Sequence, residues 1–437
     1  MAPLRQVSVR YGSQEFASRY FQPLSLRFSH IERRHTFFWG PSLHFVRISG
    51  VVSRPPKRED KTMTHQPSEP STRRFPRLKR IAKWGSIVAV IVTALVAWAT
   101  YDEVRTLWSL RRIEGTNAYV MDYYGDYHLD HIRANGIDVN DIEGSFIKAY
   151  FPTPVAFAIQ SVQSWYLPDK VELQDVAAHH CSTVVYQNAD GETFFGRNFD
   201  WYHNASLVLR IHKGGKVVST AVLDLAYLNM DRTDLDETSL ITRVPLLLAP
   251  YYLMDGANEA GVAVSDMSVE GVQPPHEPGK PALLHSTAMR MILDNCQTTQ
   301  EAIDLLDEFN LRFAGTTCHF MIADASGDSA VVEFIGGEKK VTRTEPTWQV
   351  CTNSQIWGES EEACDENCYR YKSASDQLAQ FADTKIESTD IMNVMQSVSV
   401  NDWTMWSSVY NLSTDELLFV HRKGETELVP TRFSLAE

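Results

Sequence analysis

A chain of 437 residues, 43% hydrophobic and 22% charged, has the composition of a globular protein with material for a large core. Its charge is divided: residues 1–83 hold 17 Lys and Arg against 5 Asp and Glu, a net of +12, and the remainder carries −26. An acidic body of that size excludes a nucleic-acid partner, whose phosphates it would repel, and six cysteines over this length exclude a disulfide framework.

Residues 1–62 show no sustained period. They read as disordered chain, or as sequence upstream of a natural start at Met63. Pro67, Pro70, Arg73, Arg74, Pro76, Arg77, Lys79 and Arg80 continue them as a basic, disordered arm, so 1–83 form one amino-terminal segment. Trp84 to Tyr101 then runs for 18 residues without a charge, enough at about 1.5 Å per residue to cross a hydrocarbon core. Trp84, Trp98 and Tyr101 stand at its ends, and the basic arm precedes it. This pattern predicts a transmembrane helix over 84–101 with the acidic body outside the cytoplasm. Ala97-Trp98-Ala99 also fits a signal-peptidase site, which would make the body secreted instead.

Residues 102–180 read as a linker or pro-segment. Asp102 to Ile113 has a helical pattern. Ile142 to Tyr166 is apolar and aromatic, broken by Pro152 and Pro154, and is expected to cover part of the core or to dip into a membrane surface. The body, 181–437, alternates strand-like runs (Ser206–His212, Lys216–Leu225, His319–Asp324, Ala330–Ile335, Trp348–Thr352, Ser407–Leu412, Leu417–His421) with helical ones (Leu283–Asn295, Thr299–Glu308, Tyr371–Phe381, Thr389–Val398). Asp255 to Gly261 reads as a tight turn into a strand over Val262–Met267. Strands gathered in hairpins with helices between them give an α+β class, helices on antiparallel sheets. Cys364 and Cys368 fall in an acidic stretch read as a loop, where they could pair outside the cell.

Chemistry concentrates between His179 and Trp201. Ser182 to Gln187 is a buried strand by composition, Asn188-Ala189-Asp190-Gly191 is turn chemistry, and Glu192 to Phe195 is a return strand leading to Gly196-Arg197-Asn198-Phe199-Asp200. The hairpin would bring Cys181 beside Arg197 and Asp200: a nucleophile, a cation and a carboxylate. His179, His180 and Cys181 do not make a metal site, because neighbours on a strand point to opposite faces. No cofactor is called for.

Cys181-Ser182-Thr183, Asp190-Gly191 and Gly196-Arg197-Asn198-Phe199-Asp200 resemble the signature of the choloylglycine hydrolase, penicillin V acylase, acid ceramidase and N-acylethanolamine acid amidase group of amino-terminal-nucleophile (Ntn) hydrolases. Later blocks fit in order: Asp255-Gly256-Ala257-Asn258-Glu259-Ala260-Gly261, Cys351-Thr352-Asn353-Ser354 and Arg370-Tyr371. The resemblance implies a four-layer αββα sandwich and a self-made cut between His180 and Cys181, with the pro-segment kept as a small subunit. Cys181 would be nucleophile and, through its freed α-amine, base. Arg197 would favour the thiolate, Asp200 orient the amine or thiol, Asn353 donate to the oxyanion, and Arg370 steady developing charge or the pro-segment. Ser268 stands where many members have an oxyanion asparagine, and Gln355 replaces a common proline. The implied activity is hydrolysis of a linear, non-peptide amide with an apolar acyl group, an N-acyl amide of lipid-like character. An acyltransferase and a non-catalytic, membrane-tethered binding domain are the alternatives.

Overall fold

Alternation of apolar side chains decides how this protein stacks. The computed structural model describes residues 76–150, 180–201, 205–313, 316–344, 347–382, 384–400, 403–422 and 430–434, with 76–83, 92, 95, 96 and 367 in backbone only. The arm over 1–75 and the stretch 151–179 therefore lie outside the described residues.

The strands are β1 (Arg111–Arg112), β2 (Ala118–Tyr123), β3 (Ser182–Gln187), β4 (Thr193–Asp200), β5 (Ser206–Lys213), β6 (Lys216–Asp224), β7 (Asp255–Asn258) and β8 (Ala263–Ser268). They continue as β9 (Ala282–Leu284), β10 (Asn310–Arg312), β11 (Cys318–Ala323), β12 (Ser329–Ile335), β13 (Glu338–Thr342), β14 (Trp348–Cys351), β15 (Thr404–Asn411), β16 (Glu416–His421) and β17 (Thr431–Ser434). The helices are α1 (Pro76–Ala99), α2 (Tyr101–Ser109), α3 (Leu129–Asn135), α4 (Ile142–Tyr150), α5 (His285–Asn295), α6 (Thr299–Leu305), α7 (Glu361–Asn367), α8 (Tyr369–Ala379) and α9 (Ser388–Ser397).

A nine-stranded sheet runs β1-β2-β5-β6-β7-β8-β11-β12-β13 and a six-stranded sheet runs β14-β3-β4-β15-β16-β17. In β5, Leu207, Leu209 and Ile211 enter one core with α5, while Val208 enters a second; in β11, Phe320 and Ile322 divide from Met321 in the same way. The second core also takes in Val185, Phe195 and Tyr410 of the six-stranded sheet, whose far side, with Val184 and Val409, is covered by α8 and α9 through Leu378, Ile391 and Met395. Period-two burial on both faces thus produces the order helix, sheet, sheet, helix.

Residues 102–150 are more than a linker. β2 is buried along its whole length and pairs in parallel with β5, and β1 pairs with β2. Phe146 of α4 is fully buried and stacks on Tyr251 with ring centroids 4.3 Å apart. The apolar run folds into α1, with Trp84, Val90 and Trp98 66%, 67% and 80% exposed. Among the described residues, no helix is long and apolar enough to cross a membrane.

Two sequence expectations need correction. The turn begins later than Asp255: β7 occupies Asp255–Asn258, and the reversal falls on Glu259 to Gly261. Asn258 Oδ1 shapes it by accepting from the amides of Ala260 and Val262, and Gly261 adopts φ +80° where a Cβ would meet Ala325 Cβ at 2.7 Å. The acidic stretch is helix α7, whose first turn is capped by Ser360 Oγ accepting from the amide of Ala363. Cys364 and Cys368 sit one helical turn apart, one buried and one half-buried, and both are free thiols.

Candidate active site

The β3–β4 hairpin is closed by Asn188, whose side-chain oxygen accepts from the amides of Asp190 and Glu192 at 2.9 Å. Its register pairs Ser182 with Asn198 and Thr183 with Arg197, so Cys181, just before β3, lies beside the end of β4. Gly196 matters here, because a Cβ would reach Ile391 and Val184 of the packed core at 3.0 Å.

Cys181 is 4% exposed. Burial pushes its thiol up from the ordinary cysteine value, and Arg197 pulls against that. Arg197 is fully buried and none of its guanidinium nitrogens has a hydrogen-bond partner; Asp266 lies 3.8 Å away. Burial works against its charge, and the Cys181 sulfur and Asp266 outweigh it, raising the guanidinium further. Asp200 is also fully buried. Its Oδ1 accepts from Thr404 Oγ1 at 2.6 Å, while Oδ2 has no partner. Burial raises this carboxyl to about 6, against the hydrogen bond from Thr404 and the charges of Arg370, Arg197 and Arg422.

Arg370, near the start of α8, donates to the carbonyl oxygens of His180 and Cys181, the two residues flanking the expected cut, and to Asn353 Oδ1 at 3.1 Å. Asn353 Nδ2 donates to the carbonyl of Ser268 at 2.8 Å. An amide nitrogen carries two donors, so this bond leaves one in reserve. The residues singled out in the sequence, Cys181, Arg197, Asp200, Asn353 and Arg370, therefore come together. Asn353, expected to donate to an oxyanion, is engaged at both ends of its amide with the protein itself.

A cavity of about 30 Å³, room for a water molecule or two, opens on Cys181. Phe199, Trp201, Tyr227 and Met254 form its apolar wall, and Arg197, Asp266, Ser268, His285 and Cys318 its polar one. Sequence reasoning missed Asp266, His285, Cys318 and Thr404. Asp266 had a legible signal, a charge inside the apolar strand run Val262–Met267; the others belong to no local pattern. Asp266, His285 and Cys318 bring one donor atom each within 4.8 Å of one another, a set zinc can accept. The carboxylate is already shared between His285 Nε2 at 3.2 Å and Arg197, and that guanidinium places a positive charge beside the spot an ion would take.

A family model described as acyl-coenzyme A:6-aminopenicillanic acid acyl-transferase matches residues 249–418. A penicillin V acylase of Pectobacterium atrosepticum is 35% identical over 114 residues, 23% of this chain and 30% of the relative, so the chain spans about a third of that curated relative's length. Among solved structures, a penicillin V acylase of Agrobacterium tumefaciens aligns with a TM-score of 0.41 at 21% identity, over 58% of this chain and 85% of that one. A conjugated bile acid hydrolase of Clostridium perfringens, in its C2A variant, aligns at 0.43 and 14%, over 57% and 92%. The likeness to the Ntn cysteine hydrolases, first read from the Cys181 hairpin, thus rests on a family model and a sequence relative as well.

Proposed function

We propose that this protein is a self-processing cysteine amidohydrolase that cleaves linear N-acyl amides through Cys181. The observation that carries the reading is the grip of Arg370 on the carbonyl oxygen of His180, next to a buried thiol that faces Arg197.

In the uncut chain, Cys181 Sγ attacks the carbonyl carbon of His180, and Arg370 stabilises the oxygen that becomes negative. The peptide nitrogen leaves as the Cys181 amine, giving a thioester. Water opens the thioester, leaving a carboxylate on His180 and a free thiol and α-amine on Cys181. Asp200 Oδ2, buried without a partner, would accept from that amine. In turnover the amine takes the thiol proton, sulfur attacks the substrate carbonyl, and the second N–H of Asn353 meets the oxyanion, a donor worth on the order of 3 kcal/mol. The amide nitrogen leaves protonated, and water releases the acid.

Phe199, Trp201, Tyr227 and Met254 put apolar surface beside Cys181, in keeping with an apolar acyl group, although the cavity of about 30 Å³ is too small to hold an acyl chain. The matched family description favours one second reading, in which an amine takes the acyl group from the thioester in place of water. The uncharged run Trp84 to Tyr101 and the basic arm before it are the sequence grounds for a membrane anchor with the body extracytoplasmic, or a signal peptide with a secreted body, although α1 does not meet the length and apolarity of a spanning helix.

Intact mass and amino-terminal sequencing test the cut: wild type should yield a 257-residue fragment beginning Cys-Ser-Thr, the residues from 181 to 437. A chain that hydrolyses N-acyl amides while remaining uncut sinks the α-amine mechanism. Product analysis with added amines separates hydrolysis from transfer. Fractionation tests the anchor: a soluble species starting at Thr100 would replace it with a cleaved signal.

A further inference from the structure

Thr352 and Asn353 follow β14 at the edge of the six-stranded sheet, yet the groups that hold this loop come from the other sheet. His319 on β11 and Glu333 on β12 stand one step beyond the Phe320–Val332 pair of the nine-stranded sheet, 0% and 2% exposed. His319 Nδ1 lies 3.2 Å from the Glu333 carboxylate, and Nε2 lies 2.7 Å from the carbonyl oxygen of Thr352. Both of these partners are acceptors when the carboxylate is ionised, so both ring nitrogens donate, and the side chain is an imidazolium. Cys351 Sγ is the other group against Nε2, at 3.4 Å. The Glu333 carboxylate also accepts from the amide of Ile356 at 3.1 Å and that of Trp357 at 2.6 Å. One ion pair therefore grips the loop at both ends, with Asn353 between the grips.

We infer that His319 and Glu333 are positioning residues of the candidate active site, setting Asn353, and through it Arg370, by fixing the loop after β14 from the opposite sheet. The inference rests on the roles given above to Asn353 and Arg370. Its competitor is an ion pair that only fills the core. Such pairs are often replaced by apolar side chains of similar volume with little or no loss of stability. That property separates the two ideas, because stability can be kept while the grip is removed.

The experiment uses the full chain carrying His319→Met with Glu333→Leu, and a second protein carrying His319→Gln with Glu333→Gln. Melting temperature, exchange of the Ile356 and Trp357 amides, the fraction cut before Cys181, and kcat and KM on an amide turned over by wild type are measured. For the apolar pair we expect melting close to wild type and faster exchange at both amides. We also expect kcat roughly 100-fold lower with KM little changed, as for a misplaced group in a formed site. The Gln pair, which can still bond the loop, should recover most of the loss. An apolar pair that cuts itself and turns over within a factor of about 2 of wild type makes the ion pair structural only, since tenfold in rate is about 1.4 kcal/mol. Should the apolar pair not fold, Glu333→Ala alone decides the matter, since it removes both loop acceptors: unchanged exchange at Ile356 and Trp357 with unchanged kcat overturns the inference. A wild type that neither cuts itself nor hydrolyses amides sinks the hydrolase reading instead, and is distinguishable because amide exchange reports the grip without any activity.

Discussion

Two polar places in the described interior are built in opposite ways. Around Cys181, buried groups are left with capacity to spare: the Arg197 nitrogens, Asp200 Oδ2 and His285 Nδ1 have no hydrogen-bond partner. Around Glu333, the carboxylate is used by His319, Ile356 and Trp357 together. The ionisation of the carboxyls follows. Burial raises Asp200 to about 6, whereas at Glu333 the pull of His319 and the two amides overcomes burial and holds it below the usual range. Leaving a buried polar group unsatisfied costs about 1–3 kcal/mol, so the spare capacity marks a place where a reacting group is to be received, and the saturated place marks support.

The largest test of this contrast removes the nucleophile. Cys181→Ala should remain a single species of 437 residues by mass and show no turnover, while folding normally, since the thiol is a small buried group. A Cys181→Ala chain that still cuts itself would move the nucleophile elsewhere. Next, Asn353→Ala should lower the acylation rate roughly 100-fold with substrate binding little changed, and a thiol reagent should still label Cys181. If turnover stays within a factor of a few, the oxyanion role passes to Ser268.

The third test opposes activity to stability at Asp200. Its folded value of about 6 lies above the ordinary 3.8, so the folded state holds the proton more tightly. That stabilisation is complete at pH below 3.8 and is lost as pH rises through about 6. Asp200→Asn should then lose turnover yet melt no lower than wild type at pH 7, with up to about 3 kcal/mol regained. A marked drop in melting temperature at pH 7 would return Asp200 to a structural role.

A smaller effect sharpens the other side. Burial works against the charge of His319, but Cys351 and Glu333 prevail and raise it to about 10 from 6.5. Its contribution to stability is whole below 6.5 and fades as pH rises towards 10, whereas that of Glu333, held low, is present above 4.5 and fades in acid. Melting temperature should decline between pH 7 and 10 in wild type, and less steeply in the His319→Met, Glu333→Leu protein. The smallest test counts thiols: six should react in denatured, unreduced protein, and four would restore the Cys364–Cys368 pairing.

The difference between the two places also governs what could be read from the chain alone. The Cys181 hairpin was legible because its parts are close in sequence: turn residues at 188–191 fix a register that brings Cys181 to Asp200. β5, β6, β11 and β12 announced themselves by their β-branched, apolar runs, though not which face met which layer. β2 was passed over because Ala118 to Tyr123 stands apart from other strand-like runs, its partner β5 lying beyond the proposed cut. His319 and Glu333 were silent for a related reason. Each is a single polar residue among apolar strand neighbours, and its meaning comes from a loop far along the chain.

That position of β2 has a practical consequence for anyone producing the protein. A polypeptide begun at Cys181 to mimic the proposed cut form would omit β1 and β2 and bare one side of β5, where Leu207, Val208 and Leu209 are fully buried. An uncovered apolar edge of that kind recruits other chains into intermolecular sheets. We expect such a fragment to form inclusion bodies, and to be rescued by co-expression with residues 102–180.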